Sequence, residues 1–281
     1  MTIEENHRIQ WRELRPRVFS LPLTIPILWR YRTVLRCLIV REFQIRYRPL
    51  SAGILWVGLQ PIFFALVIAI PLSRISNLGI DGMSYLSFVL TALVPWIFFA
   101  NCTQSSAVSL IEAEELIKHA SFPRALIPIA MVGSKIVDLV FALIFLWVWI
   151  WFKHENVISL ATWLLPLVLL WLIFLSMGVS LFASAACAQF RDLRYVVPFI
   201  VQVLFFASPV VYSTGSLHGT AAQLILLNPA TPIIEATRAA FLGTPLPPNM
   251  IVLRSLALTL VLFLVASVYF GRMSRRIADI L

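Results

Sequence analysis

Six stretches of this chain are long and apolar enough to cross a lipid bilayer, and that feature constrains its fold more than any other. A hydrocarbon core about 30 Å thick takes roughly 20 residues of helix at 1.5 Å rise each. Runs of that order lie at about 53–72, 85–110, 125–152, 160–188, 196–212 and 250–270. The fifth is short, and Pro198 and Pro209 allow it to be broken or tilted. Composition agrees with the runs. Hydrophobic residues make up 60% and charged residues 12% of the 281, against about 45–50% and about 25% in a soluble domain. The expectation is an all-α polytopic membrane protein, with an amino-terminal segment over 1–49 and a single membrane domain over 50–281.

The net charge of +9 would suggest a nucleic-acid partner in a soluble protein. Here it follows topology. Ten arginines precede the first run: Arg8, Arg12, Arg15, Arg17, Arg30, Arg32, Arg36, Arg41, Arg46 and Arg48. Six spans bring Lys118, Arg124, Arg191, Arg194, Arg272, Arg275 and Arg276 to the same side, and leave Arg74, Lys153, Arg238 and Arg254 on the other. The positive-inside rule then puts both termini in the cytoplasm. Within residues 28–48, Tyr31, Val34, Leu35, Leu38 and Ile45 share a helical face flanked by Arg32, Arg36 and Arg46 and by Arg30, Arg41 and Arg48. This pattern predicts an interfacial helix whose arginines reach anionic headgroups, ending before Pro49. Such a helix can serve as an anchor, or can frame an entrance for an amphiphilic substrate.

The chain lacks a GxxxxGK[ST] loop, a GxGxxG fingerprint, a GxSxG elbow and an HExxH helix. Its three cysteines (Cys37, Cys102, Cys187) and four histidines are scattered, without metal-ligand spacing. The expectation is a chain that is not an enzyme, whose driving energy comes from an ion gradient or from another subunit. Asp138 is the one clear carboxylate within the spans, and Lys135, three residues earlier, is its expected intrahelical partner. Glu235 and Arg238 read the same way, as a local pair.

Residues 213–249 carry few charges yet are too long for a turn, with Asn228-Pro229 and Thr231-Pro232 punctuating an apolar run. Two short helices dipping back into the outer leaflet would account for this, making Asn228, Pro229, Glu235 and Arg238 candidates for an external gate. Trp147, Trp149, Trp151 and Phe152 form an interfacial belt at the end of the third span. Trp56, Phe63, Phe64, Trp96, Phe98, Phe99, Phe205 and Phe206, with Tyr212, lie in or near the first, second and fifth spans. They either pack the core or line a passage in which flat rings stack on sugar faces. Two short charged connections remain: Glu112, Glu114, Glu115 and Lys118 ahead of Phe122-Pro123-Arg124, and the run Arg191-Asp192-Leu193-Arg194-Tyr195. Each is either a solvated turn or an element that docks onto a partner.

Several pieces, in order along nearly the whole chain, resemble the ABC type-two permease family, specifically the membrane subunits that export O-antigen, capsular polysaccharide and teichoic acid. They are Arg46-Tyr47-Arg48 with Ser51, Gly53 and Trp56; Leu93-Val94-Pro95-Trp96-Ile97-Phe98-Phe99; Phe122-Pro123-Arg124; Arg191 to Tyr195; Ser208-Pro209-Val210-Val211-Tyr212; Leu227-Asn228-Pro229; and Ile234 to Arg238. The resemblance implies a homodimer in the bacterial inner membrane that moves a polyprenyl-linked polysaccharide to the periplasm. It also implies two separate ATP-hydrolysing subunits that hold ATP and Mg, with no cofactor in this chain. Residues 112–124 and 189–195 become the coupling elements and 213–249 the periplasmic gate. The competing readings are a permease for a drug or lipo-oligosaccharide, an intramembrane enzyme acting on a lipid-linked sugar through Lys135 and Asp138, and an ion-driven carrier.

Overall fold

The computed structural model describes residues 29–48, 55–75, 84–119, 122–154, 160–216 and 219–280. Every regular element among them is helical. In chain order these are α1 (Arg32–Tyr47), α2 (Leu55–Ile75), α3 (Tyr85–Glu112), α4 (Glu114–His119), α5 (Leu126–Phe152), α6 (Leu160–Gln189) and α7 (Leu193–Phe206). A 3-10 turn at Thr214–Ser216 leads to α8 (Gly219–Leu227), α9 (Thr231–Leu242) and α10 (Asn249–Ile280). Four of these segments, Tyr85–Glu112, Leu126–Lys153, Ala161–Gln189 and Asn249–Ser274, are long and apolar enough to cross a bilayer. The chain is an all-α polytopic membrane protein.

The expected first span is α2, 21 residues over Leu55–Ile75, and the fifth is the shorter apolar helix Leu193–Phe206. The fifth differs from expectation at both ends. It starts at Leu193 and stops at Phe206, and residues 207–212 form turns in place of helix. Fourteen residues give about 21 Å at 1.5 Å each, short of a roughly 30 Å core. Ser208-Pro209 ends the run because proline offers no N–H to the ladder. The sixth helix instead runs on past its apolar stretch to Ile280.

α3 is the axis of the bundle. Its span is 78% buried, against 22% for the span of α10, and it packs on α2, α5, α6, α7 and α9. A helix apolar all round belongs inside, and Val89, Leu90, Leu93 and Cys102 lie at the centre of the largest core cluster. α10 packs on α6 through Thr259, Ala266 and Phe270, and turns Leu256, Leu260 and Leu264 outward. Small residues let these helices approach closely, as is usual where no hydrophobic effect drives association. At Gly178 of α6 an added Cβ would stand 3.2 Å from the Phe263 backbone of α10. Several buried hydroxyls bond to their own helix, as in Thr103 to Phe99 O (2.9 Å), Ser109 to Ser106 O (2.7 Å) and Ser184 to Leu181 O (3.0 Å), while those of Ser106, Ser176, Ser180 and Ser267 have no partner among the described residues.

α1 lies along α5, with Leu38 buried against Leu126 and Ala130. Its packed face runs through Val34, Leu35, Leu38 and Ile39. Ile45, expected on that face, is 58% exposed. The drift arises because 45 stands seven residues from 38, two helical turns that fall short of closing by about 20°, and Glu42 and Arg46 are turned inward in its place. Gly133 makes the approach possible, since a Cβ there would meet the Ile39 Cδ1 at 2.7 Å.

Replacing Gly178 by Val forces a branched side chain against the α10 backbone, and we expect a destabilisation of about 1–3 kcal/mol. The thermal midpoint of the detergent-purified protein measures this. Leu260→Val on the outward face of α10 serves as the neutral control.

Candidate functional site

Helices α2, α3 and α7 enclose a groove on the flank of the bundle with a volume of about 700 Å³. Helical spacing decides what faces it. On α2, Gln60, Phe64 and Val67 recur at i, i+4 and i+7; on α3, Trp96, Ala100 and Gln104 recur every four residues with Asn101 beside them; on α7, Pro198, Gln202 and Phe206 do the same. Four aromatic side chains meet there. Phe205 holds its ring edge-on to Phe64 at 6.0 Å, to Trp96 at 5.9 Å and to Phe206 at 5.2 Å.

Of the nine aromatic residues expected along a passage, these four converge. Phe98 and Phe99 are buried in the core, Phe63 is exposed on α2 away from the groove lining, and the side chain of Trp56 lies outside the described ones. Tyr212 sits beyond α7 and donates its hydroxyl to Phe206 O at 3.0 Å. The groove also contains residues that a search for charges overlooks: the carboxamides of Gln60, Asn101, Gln104 and Gln202. None of the four bonds to another described residue. Their signal in the sequence is a neutral polar side chain interrupting an apolar span, most visible in the i, i+3 pair Asn101 and Gln104.

At the Tyr85 end of α3, the segment after α7 is fastened by buried polar side chains. Asn228 donates to Ala207 O (3.2 Å) and to Ser208 Oγ (2.8 Å), while its Oδ1 accepts from Ala230 N (3.0 Å). Pro229 O accepts from Ser255 of α10 at 2.8 Å. Tyr85 donates to Val211 O at 2.6 Å. In α9 every residue except Glu235 is buried. Arg238 is 3% exposed, lies 3.6 Å from the centre of the Phe88 ring, and donates to Val210 O (2.8 Å) and Phe88 O (3.3 Å). The local pair expected between Glu235 and Arg238 is therefore replaced: Glu235 accepts from Thr214, and Arg238 spends its donors on backbone carbonyls of two other segments.

A second correction concerns Asp138. Its partners are Arg46 and Tyr47 of α1, each at 2.5 Å, and no ion pair joins it to Lys135. Lys135 is 7% exposed. The i, i+3 rule gave the nearest cation along the helix, but a docked α1 delivers a guanidinium N–H to one carboxylate oxygen and a phenol O–H to the other, which satisfy both. The pairing fastens the end of α1 to the middle of α5, with Ser134 3.4 Å from the same guanidinium. Lys135 and Asp138 accordingly form no convergent pair of the kind an intramembrane enzyme would need. Of the other α1 arginines, Arg41 lies 3.9 Å from Glu42, Arg32 stacks on Trp29, and Arg30, Arg36 and Arg48 are exposed.

The two charged connections come to one end of the bundle. In α4, Glu114 and Lys118 pair at 2.6 Å, and Glu115 is exposed. The Lys118 hydrogen bond holds the Glu114 carboxyl below its usual range, and Arg191 of the other connection lies near enough to add to the effect. Arg191, Asp192 and Arg194 are exposed, with Arg194 over the Tyr195 ring. Arg124 instead donates to Ser274 O of α10, and Glu112 ends α3 beside α1.

The family model described as ABC-2 type transporter matches residues 33–242. An O-antigen export system permease protein of Myxococcus xanthus is 26% identical over 262 residues, covering 90% of this chain and 96% of its own. A protein of the same description from Klebsiella pneumoniae is 26% identical, covering 86% and 92%. A polysialic acid transport protein of Escherichia coli is 26% identical, covering 74% and 81%.

Substitutions at three residues check these contacts. Arg238→Ala removes the side-chain donor to the Val210 carbonyl and the cation over the Phe88 ring, while Phe88 O keeps its bond from Thr91, and we expect a loss of about 1–3 kcal/mol, read as a lowered thermal midpoint that Arg238→Lys restores only in part. Asp138→Ala should release α1, costing about 1–3 kcal/mol and raising amide exchange across 32–47 while α5 stays protected. Arg46→Ala should do the same, and the double variant should be no worse than the worse single one.

Proposed function

The chain belongs to the ABC-2 type transporter family as a membrane permease subunit linked to polysaccharide export, and we propose that the α2–α3–α7 groove is one half of its glycan passage. In this reading two copies face each other across the groove in the bacterial inner membrane. Two partner ATPases supply the energy, and the substrate is a polyprenyl-linked, O-antigen-like polysaccharide moved from cytoplasm to periplasm.

The observation that carries it is the set of four unbonded carboxamides among aromatic rings within apolar helices. An amide left without a partner in hydrocarbon costs about 4–8 kcal/mol on water-to-cyclohexane scales, so such groups belong against protein or water and not against lipid. A second copy laid on the exposed faces of α2 and α7, where Val67, Phe199, Ile200 and Val203 stand outward, would bury those faces and turn two open grooves into an enclosed, hydrated passage. Rings that stack on sugars without a fixed hydrogen-bond pattern let successive residues slide. The exposed Glu114–Lys118 and Arg191–Arg194 connections would dock into the ATPases, and α8 and α9 would form the external gate. Arg238 and Asn228 would hold that gate shut.

Vesicles containing this chain and its ATPase should translocate a lipid-linked glycan with hydrolysable ATP and not with a non-hydrolysable analogue. Phe205→Ala together with Trp96→Ala should slow transport by tenfold or more, of the order expected when stacking of about 1 kcal/mol per ring is lost. Transport by this chain alone, or transport dissipated by ionophores, would contradict the proposal.

A further inference from the structure

The lining of the groove has a charge character, which the glycan-passage reading alone does not specify. Among the described residues, no side chain that lines it is ionisable. Its polar groups are the carboxamides of Gln60, Asn101, Gln104 and Gln202, and its rings are Phe and Trp. The charges at the start of α7, Arg191, Asp192 and Arg194, are exposed, stand before Pro198 and are not on the lining. Two interior charges outside the groove are matched, Asp138 by Arg46 and Tyr47 and Arg238 by two carbonyls and a ring, while Lys135 is buried with no ion pair among the described residues. The groove offers no such matching to a charged guest.

Each carboxamide presents two donors and one acceptor, the complement of a sugar hydroxyl that both gives and takes a hydrogen bond. A carboxylate only accepts, so it can take the amide N–H donors but leaves each carboxamide oxygen without a donor. Aromatic faces carry the negative end of the ring quadrupole; they suit the C–H face of a hexose and repel an anion. Moving a carboxylate from water into a lining of this kind leaves it without a counter-charge, which is far costlier than moving a hydroxyl.

We propose that the passage selects an uncharged polymer: a polysaccharide of neutral hexoses, read through hydroxyls by Gln60, Asn101, Gln104 and Gln202, in preference to a polyanionic chain with a carboxylate on every residue. This rests on the groove being the glycan passage, and the test separates the two. Residues Asn101 and Gln104 lie in the half of α3 nearer Glu112, Trp96 further toward Tyr85. A chain entering from the Glu112 end therefore meets hydrogen-bonding groups before the ring cluster.

The test uses the full chain with its ATPase in vesicles and two polyprenyl-pyrophosphate-linked probes of equal length, a polymannose and a polysialic acid. Transport is read as ATP-dependent protection from an external glycosidase. The mannose polymer should move faster by at least about tenfold. Gln104→Lys should narrow that ratio by raising polysialic acid transport, whereas Gln104→Asn should leave the ratio unchanged. Equal rates for the two probes, or faster transport of the polyanion, would overturn the selectivity while leaving the passage intact. Movement of neither probe would overturn the passage and the selectivity together. If the lysine variant does not fold, the ratio in the unmodified protein still decides.

Discussion

A polar side chain in a membrane helix must find a partner, and the way this protein meets that demand divides its polar residues into two sets. In the first set every group is satisfied inside the bundle. Asp138 has Arg46 and Tyr47, Arg238 has two carbonyls and a ring, Asn228 bonds across three residues, and the indole N–H groups of Trp171 and Trp149 reach Thr259 and Ser87. The second set is Gln60, Asn101, Gln104 and Gln202, gathered on one groove and bonded to nothing described. Four serine hydroxyls, Ser106, Ser176, Ser180 and Ser267, are also buried without a partner among the described residues, but they are scattered over the helices, whereas the four carboxamides share one groove.

The satisfied set holds the bundle in shape around the groove. α3 is the wall common to the core and the groove, so anything that moves α3 reshapes the groove. The Arg238 contacts tie its Tyr85 end to α9 and to the turn after α7, and the Arg46–Asp138 contact ties α1 to α5, which packs on α3. Both sets of pins are long-range in sequence. They give motion at either end of the bundle a physical path into the groove through packed helices.

Much of this was legible from residue pattern. Except at the far end of α10, the apolar runs gave the long helices to within a few residues, because twenty apolar residues have few alternatives in a membrane. The punctuation at Asn228-Pro229 and Thr231-Pro232 gave the two short helices α8 and α9. The aromatic residues were half legible: Phe64, Trp96, Phe205 and Phe206 line the groove, while Phe98 and Phe99, in the same motif as Trp96, turn into the core. Which side of α3 faces α7 is fixed by packing and not by the motif. The two expected ion pairs failed for one reason. Spacing along a helix reveals neighbours on that helix, whereas Asp138 found Arg46 across 92 residues and Arg238 found Phe88 across 150. The carboxamides were visible as letters, but a search for charge gave them no weight.

The central claim is that the groove is hydrated and shielded from lipid by a second copy. Thiol labelling in intact membranes tests it most directly. With Cys37, Cys102 and Cys187 replaced by serine or alanine, Gln104→Cys and Gln202→Cys should react with a membrane-impermeant maleimide. Leu260→Cys on the outward face of α10 should stay unreactive until detergent is added. If the two groove positions prove as inert as position 260, the groove faces hydrocarbon and the account is wrong.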